Sequence, residues 1–358
     1  MVVIILVNLL SVFLSNLGKY KNFKNGLLLS VLVIFIFLAL RFELGNDYNN
    51  YRETYNQISL YGIVKKDDHL EIGWKYLNIF FSYFGFDFFS FIIFLSLINN
   101  IFLYKIIKYN VDKRYYWLSI FIYTCTPSLM LIHLSAIRQL SAIFLMLIAI
   151  FFLFKEGYLK YILFLLLTYL AYTIHNSGFF IIIFIIIYKL INLFNTKRLF
   201  IFTVIYIFLF VFTDIITQYI NKITETYFEK YTIYLENGGK ELGSGLGFSL
   251  NLILLLILIT SYDKIQEKKE KFIILSSIFS ILVSFISMKL SMFSRLNLYL
   301  LPFMIVSYPL VINKVNNNLI KIIFISIVSI LTIYNFYNFF YSPEFSKSYN
   351  TYKTIFSL

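Results

Sequence analysis

The chain has 358 residues, of which 60% are apolar, 21% aromatic and only 14% charged, a mixture too hydrophobic for a water-soluble domain of this size. Runs of apolar residues long enough for a helix to cross the hydrocarbon core recur from end to end, with short polar breaks between them, so the solvent is lipid. A single cysteine, Cys125, excludes an internal disulfide framework, and the net charge of +13 has to be placed before it is interpreted.

In chain order, the predicted spans are 1–18, 26–41, 86–104, 115–133, 137–154, 159–175, 177–193, 199–216, 246–262, 272–288, 296–312 and 319–340. The expected fold is therefore all-α, a polytopic integral membrane protein of about 12 transmembrane helices forming one domain over residues 1–358. The first span has no basic n-region and no small-residue cleavage site and is followed by Lys19, Lys21 and Lys24, so it reads as a retained helix. If the spans alternate, one set of loops holds 18 of the 31 Lys and Arg and five of the 18 acids. The positive-inside rule makes that set cytoplasmic and puts both termini outside. Cations spread over short cytoplasmic loops serve orientation and anionic lipid, and no nucleic-acid partner is expected.

Two larger loops, near 42–85 and 217–245, then lie on the extracytoplasmic side. The first contains Gly73 to Phe84, which suits a helix lying in the interface. The second carries Gly238, Gly239, Gly243, Gly245 and Gly247 without the lysine of a phosphate-binding loop, and reads as a hairpin or lid. Its Tyr227, Tyr231 and Tyr234 recur at helical spacing, as sugar-stacking faces or as part of the interfacial aromatic belt.

Ionisable groups at span ends are the first functional candidates, and Arg41, Arg138, His175 and Arg295 all fall at predicted outer ends. An isolated arginine there snorkels to the headgroups, whereas a converging set would clamp a diphosphate through bidentate hydrogen bonds. Asp47 and Tyr51 are four apart and would share a helical face with Tyr48 and Tyr55 nearby. Asp47, Glu71 and His175 are candidates for taking a proton from an attacking hydroxyl; ion pairing and helix capping are the competing roles. There is no Asp-x-Asp triplet, no His-Glu-x-x-His and no glycine-framed nucleophilic serine, so a metal-bound nucleotide-sugar enzyme is not expected.

The pieces Arg41-x-x-x-Gly45-x-Asp47-Tyr48-x-x-Tyr51, Glu71-x-Gly73-Trp74, Ile137-Arg138-Gln139-x-x-Ala142, His175-x-Ser177 and Arg295-x-x-x-Tyr299 occur in this order on one predicted side. In this pattern the chain resembles the EpsG family, a branch of the Wzy-like bacterial polysaccharide polymerases. The resemblance implies a GT-C-like membrane glycosyltransferase in the bacterial cytoplasmic (inner) membrane, its site facing outward. It would join undecaprenyl-diphosphate-linked oligosaccharide repeat units of a capsule, O-antigen or exopolysaccharide and release undecaprenyl diphosphate.

On that reading Arg41, Arg138 and Arg295 bind diphosphate, and Asp47, Glu71 or His175 accepts the hydroxyl proton. Tyr48, Tyr51, Gln139, Ser177 and Tyr299 bind sugar or support the site. No metal or cofactor is expected, and the candidate partners besides the lipid bilayer are a chain-length regulator and a flippase. The alternatives are another lipid-linked transfer, by a ligase or acyltransferase, and transport by a flippase. Transporters place polar groups near the bilayer midplane on broken helices and repeats, whereas here the polar set hugs one edge.

Overall fold

A computed structural model describes residues 1–61, 70–212, 245–290, 292–349 and 351–357. In chain order α1 (Val2–Leu17), α2 (Gly26–Ala39), α3 (Tyr48–Tyr61), α4 (Ile72–Tyr83), α5 (Phe88–Asn110), α6 (Tyr116–Cys125), α7 (Leu131–Ser135), α8 (Ile137–Leu153) and α9 (Leu159–Ile174) come first. A 3-10 turn (Asn176–Ile182) leads into α10 (Ile183–Leu190), α11 (Thr196–Val211), α12 (Leu246–Ser261), α13 (Lys268–Lys289), α14 (Met292–Leu300), α15 (Met304–Lys314), α16 (Asn318–Tyr341) and α17 (Pro343–Tyr349). Among the described residues the strands are β1 (Arg41–Phe42) and β2 (Lys353–Thr354), paired antiparallel with Arg41 opposite Thr354.

Among the described residues, six helical stretches are long and apolar enough to cross a membrane by length and composition, including Phe88–Asn110, Lys268–Lys289 and Asn318–Tyr341, and there are shorter apolar helices such as Val2–Leu17 and Ile137–Leu153. The protein is an all-α membrane protein.

The predicted span 115–133 is not one continuous helix. Thr126 precedes Pro127 and takes an extended conformation (φ −95°, ψ 108°), which ends α6 at Cys125. The proline ring disfavours helical geometry at the residue before it, and the chain restarts only at Leu131. A second break at Ala136 (ψ 58°) separates α7 from α8 and places Ser135 and Arg138 on different helices. The stretch Gly73 to Phe84 is helical, as α4, and the predicted helical face of Asp47 and Tyr51 is present at the start of α3, where the Tyr51 amide donates to the Asp47 carbonyl at 3.0 Å.

The chain divides into two compact units. The first comprises Met1–Ile182, Tyr308–Leu310 and Thr332–Leu358. Its core beneath the candidate site is aromatic: Tyr48, Tyr55, Trp74, Phe81, Phe88 and Phe91 are all buried, with Tyr55 stacked on Phe91 at 5.8 Å and Trp74 tilted against the same ring at 5.4 Å. The second unit, Ile183–Ser307 with Val311–Leu331, has its own core in which Phe184, Phe272 and Phe303 meet. Residues 213–244, and so nearly all of the second predicted loop (217–245), lie outside the described residues, and with them Tyr227, Tyr231, Tyr234, Gly238, Gly239 and Gly243.

In the first unit α1 and α2 cross at glycine. A Cβ on Gly26 would stand 2.5 Å from both the Gly18 nitrogen and the Leu14 carbonyl oxygen, backbone atoms that cannot rotate away. Gly26→Ala should therefore lower the thermal midpoint in detergent, at a cost of about 1–3 kcal/mol for overpacking. Gly247→Ala, whose added Cβ meets nothing within 4 Å, should leave it unchanged or raise it.

Candidate active site

Three of the sequence candidates meet in the first unit around one carboxylate. Glu71 stands at the N-cap of α4, but its side chain does not cap the helix. It turns instead to Arg138 on the first turn of α8, whose Nη1 lies 2.5 Å from Oε2, and to His175 just past the end of α9, whose Nδ1 lies 3.1 Å from Oε1. The backbone amide of Asn176 also donates to Oε1 at 3.4 Å. The Glu71 side chain is only 8% exposed, against 29% for Arg138 and 15% for His175.

Local sequence explains each placement. The Glu71 backbone (φ −58°, ψ 134°) starts α4, and its carbonyl accepts the first helical bond from Lys75. Gly73 then lets α4 lie against the end of α9: a Cβ there would come within 2.4 Å of Thr173 Oγ1 and 2.8 Å of the Thr173 carbonyl carbon and oxygen. His175 leaves α9 in an extended conformation (φ −152°), and the Gly178 amide returns to its carbonyl at 2.7 Å. Gly178 makes that return possible, since a Cβ would sit 2.5 Å from the Ala171 carbonyl carbon.

The electrostatics follow from this geometry. Burial raises the Glu71 carboxyl, but the hydrogen bond to His175 and the Arg138 charge outweigh it and draw the group down to about 2. An ionised carboxylate only accepts, so the hydrogen bond requires a proton on His175 Nδ1; in the neutral ring Nε2 then carries the lone pair. Arg138 spends Nη1 on Glu71 and lies 5.7 Å from the centroid of Tyr51, itself edge-on to Trp74. Among the described residues its buried Nε has no acceptor, so the guanidinium has donor capacity beyond the ion pair.

The remaining candidates are placed as follows. Asp47 is exposed, its amide donating to Ser135 Oγ at 3.1 Å and its Oδ2 accepting from the same hydroxyl at 3.4 Å. Tyr48 is buried edge-on to Phe88, its hydroxyl donating to the Arg41 carbonyl at 3.5 Å. Gln139 and Ser177, neighbours in sequence of Arg138 and His175, are both buried. Arg41 is 2% exposed, and its Nη1 donates to the Leu38 carbonyl and to Ser96 Oγ beside a small cavity lined by Asn99 and Tyr123. Its side-chain bonds thus go to the interior of the helix bundle. Arg295 and Tyr299 belong to the second unit, one turn apart on α14, the arginine exposed and the tyrosine buried.

The model of the EpsG family matches residues 24–354. The chain belongs to the EpsG family. Comparisons with curated proteins and with solved structures gave no match. EpsG membership makes the chain a membrane enzyme of the glycosyltransferase or polymerase type acting in polysaccharide biosynthesis, and the match takes in Glu71, Arg138 and His175 together. What the bare EpsG-like pattern did not reveal is Ser135, the role of Gly73 and the tyrosine at 349. The first two lay within or beside the motifs; the third carries no local signal.

Two outcomes test the geometry. Gly73→Ala should separate Glu71 from His175 and lower both thermal stability and activity, with no comparable loss from a Gly247→Ala control. The second is a pH dependence. The folded carboxyl, at about 2, lies below the unfolded value of about 4.3, so the stabilisation from Glu71 is complete above about pH 5 and fades as pH falls toward 2. The difference in thermal midpoint between wild type and Glu71→Gln should be constant near neutrality and shrink across that acid window.

Proposed function

We propose that this chain polymerises undecaprenyl-diphosphate-linked oligosaccharide repeat units on the outer face of the bacterial cytoplasmic membrane, in a GT-C-like bundle of about twelve transmembrane helices. The observation that carries the reading is the shared carboxylate: Glu71 joins a cation with spare donors, Arg138, to an imidazole whose Nδ1 it holds protonated. A lipid diphosphate leaving group needs the first, and a sugar hydroxyl nucleophile needs the second.

In this mechanism the growing glycan is attached through C1 to undecaprenyl diphosphate, and a hydroxyl of the next lipid-linked unit attacks that carbon. Nε2 of His175 takes the hydroxyl proton as the new C–O bond forms and the bond to diphosphate breaks. Arg138 receives the charge that develops on the leaving oxygens, and its place on the first turn of α8 adds the positive end of a helix dipole. Glu71 orients both partners and is itself a poor base, because it stays ionised. Asp47, exposed at the start of α3, suits hydrogen bonding to acceptor sugar hydroxyls, with Tyr51 as a stacking face.

Arg41, enclosed as it is, has the role of holding the loop that carries Asp47. Gln139, Ser177 and Tyr48 support the walls; Arg295 and Tyr299 belong to the second unit and stand as separate candidates for diphosphate and sugar. The polar groups of the cluster sit at helix ends, as expected for transfer at a membrane surface and unlike the midplane sites of transporters.

The test is to supply purified protein in nanodiscs with the host's undecaprenyl-diphosphate-linked repeat unit and resolve products by length. A ladder is expected, reduced at least a hundredfold by Arg138→Ala and by His175→Ala in correctly folded protein. A single transfer without a ladder would mean ligation, and unchanged substrate would overturn the reading.

A further inference from the structure

We infer that Tyr349, near the C-terminal end of the chain, is a positioning residue for the candidate site, acting through Ser135 on Asp47. This rests on the reading of Asp47 as an acceptor-binding group.

The phenol is fully buried although it lies in the segment that follows the last long helix. Its hydroxyl donates to the Leu131 carbonyl at 3.0 Å, at the start of the short helix that ends at Ser135. Ser135 is the residue that receives the Asp47 amide and donates to the Asp47 carboxylate. Leu131 and Ser135 are the two ends of α7, the short helix isolated by the breaks at Pro127 and Ala136, and one further turn leads to Arg138.

A five-residue helix between two breaks has too few internal hydrogen bonds to fix its own position. Tyr349 supplies an external anchor at its first residue, Leu131, and the bonds of Ser135 to Asp47 hold its last.

The rest of the C-terminal segment is arranged to keep the phenol there. The Gly45 amide donates to the Ser348 carbonyl at 3.3 Å. Gly45, at φ +107°, presses on Ser135 so closely that a Cβ would stand 3.3 Å from its Cα. Tyr352 stacks on Phe37 at 4.8 Å and donates to its carbonyl at 2.8 Å, β2 pairs with β1, and Lys353 meets Glu43 at 3.0 Å. Residues more than 300 positions apart in sequence thus form the two sides of one strap around residues 41–47.

Tyr349→Phe removes one hydroxyl and keeps the ring against Phe339. In nanodiscs, hydrogen–deuterium exchange of the peptide covering residues 41–48 should speed up at least tenfold, and the same change is expected for Ser135→Ala, which keeps the proposal testable if the tyrosine variant does not fold. With the lipid-linked repeat unit, kcat should fall at least tenfold while the KM for that substrate as donor holds. The double variant should lose little beyond either single one. Wild-type exchange in both variants, or fully multiplicative losses, would overturn the inference. Absence of a ladder from wild-type protein would sink the polymerase reading instead, and the exchange result would still decide the strap.

Discussion

A carboxylate that is nearly inaccessible to water must be matched by positive partners, because an unpaired buried charge would neutralise itself or unfold its surroundings. Glu71 meets this requirement with the Arg138 cation and adds a hydrogen bond from His175, and the requirement propagates outward. Arg138 has to sit on the first turn of α8, which fixes where the break at Ala136 falls. His175 has to leave α9 just where α4 begins, and two glycines are consumed in making that approach, Gly73 against Thr173 and Gly178 against Ala171. The Glu-x-Gly and His-x-x-Gly spacings are the covalent trace of one packing problem.

Beneath the charged cluster lies a rigid aromatic floor. Tyr51 meets Trp74, Trp74 meets Phe91, and Phe91 meets Tyr55 and Phe81, each pair at a ring separation of about 5–6 Å. Rings offer large area with few rotatable bonds, so the floor carries α3 and α4 with little rotamer freedom. The polar α3 has no apolar face broad enough to hold itself in a bilayer, and its two buried tyrosines fasten it: Tyr48 to the Arg41 carbonyl, Tyr55 to the Phe86 carbonyl at 2.6 Å.

Hydropathy made the helices legible because each must present lipid with an unbroken apolar surface, and it failed at 115–133 because side-chain hydrophobicity continues through Thr126 and Pro127 while the backbone stops. Glu71, Arg138 and His175 were legible as candidates because ionisable groups at span ends are expensive. Their pairing was not, since the contacts span 67 and 104 positions of sequence and depend on glycines whose purpose is visible only beside Thr173 and Ala171. Arg41 shows the converse. Its motif matched a surface ligand, yet the side chain runs inward to Ser96, because a residue just past the end of α2 can point back along the helix to the Leu38 carbonyl as readily as outward. Tyr349 could not be found from sequence at all, one of 30 tyrosines in a chain that uses them everywhere as belt and packing.

The charge balance of the cluster bears on the proposed reaction. With a neutral imidazole the trio carries one negative and one positive charge, so the resting site is neutral and its partial burial costs little. When His175 takes the hydroxyl proton the trio becomes net positive, at the step in which the bond to diphosphate breaks and negative charge gathers on the leaving oxygens. A site built from Arg138 alone would hold the diphosphate of substrate and product with equal strength, which lowers KM without raising kcat. In the proposed reaction, coupling the base to the cation through Glu71 would concentrate the added attraction in the transition state, where it would accelerate transfer, and relax it again once the proton is passed to water and the lipid diphosphate has to depart.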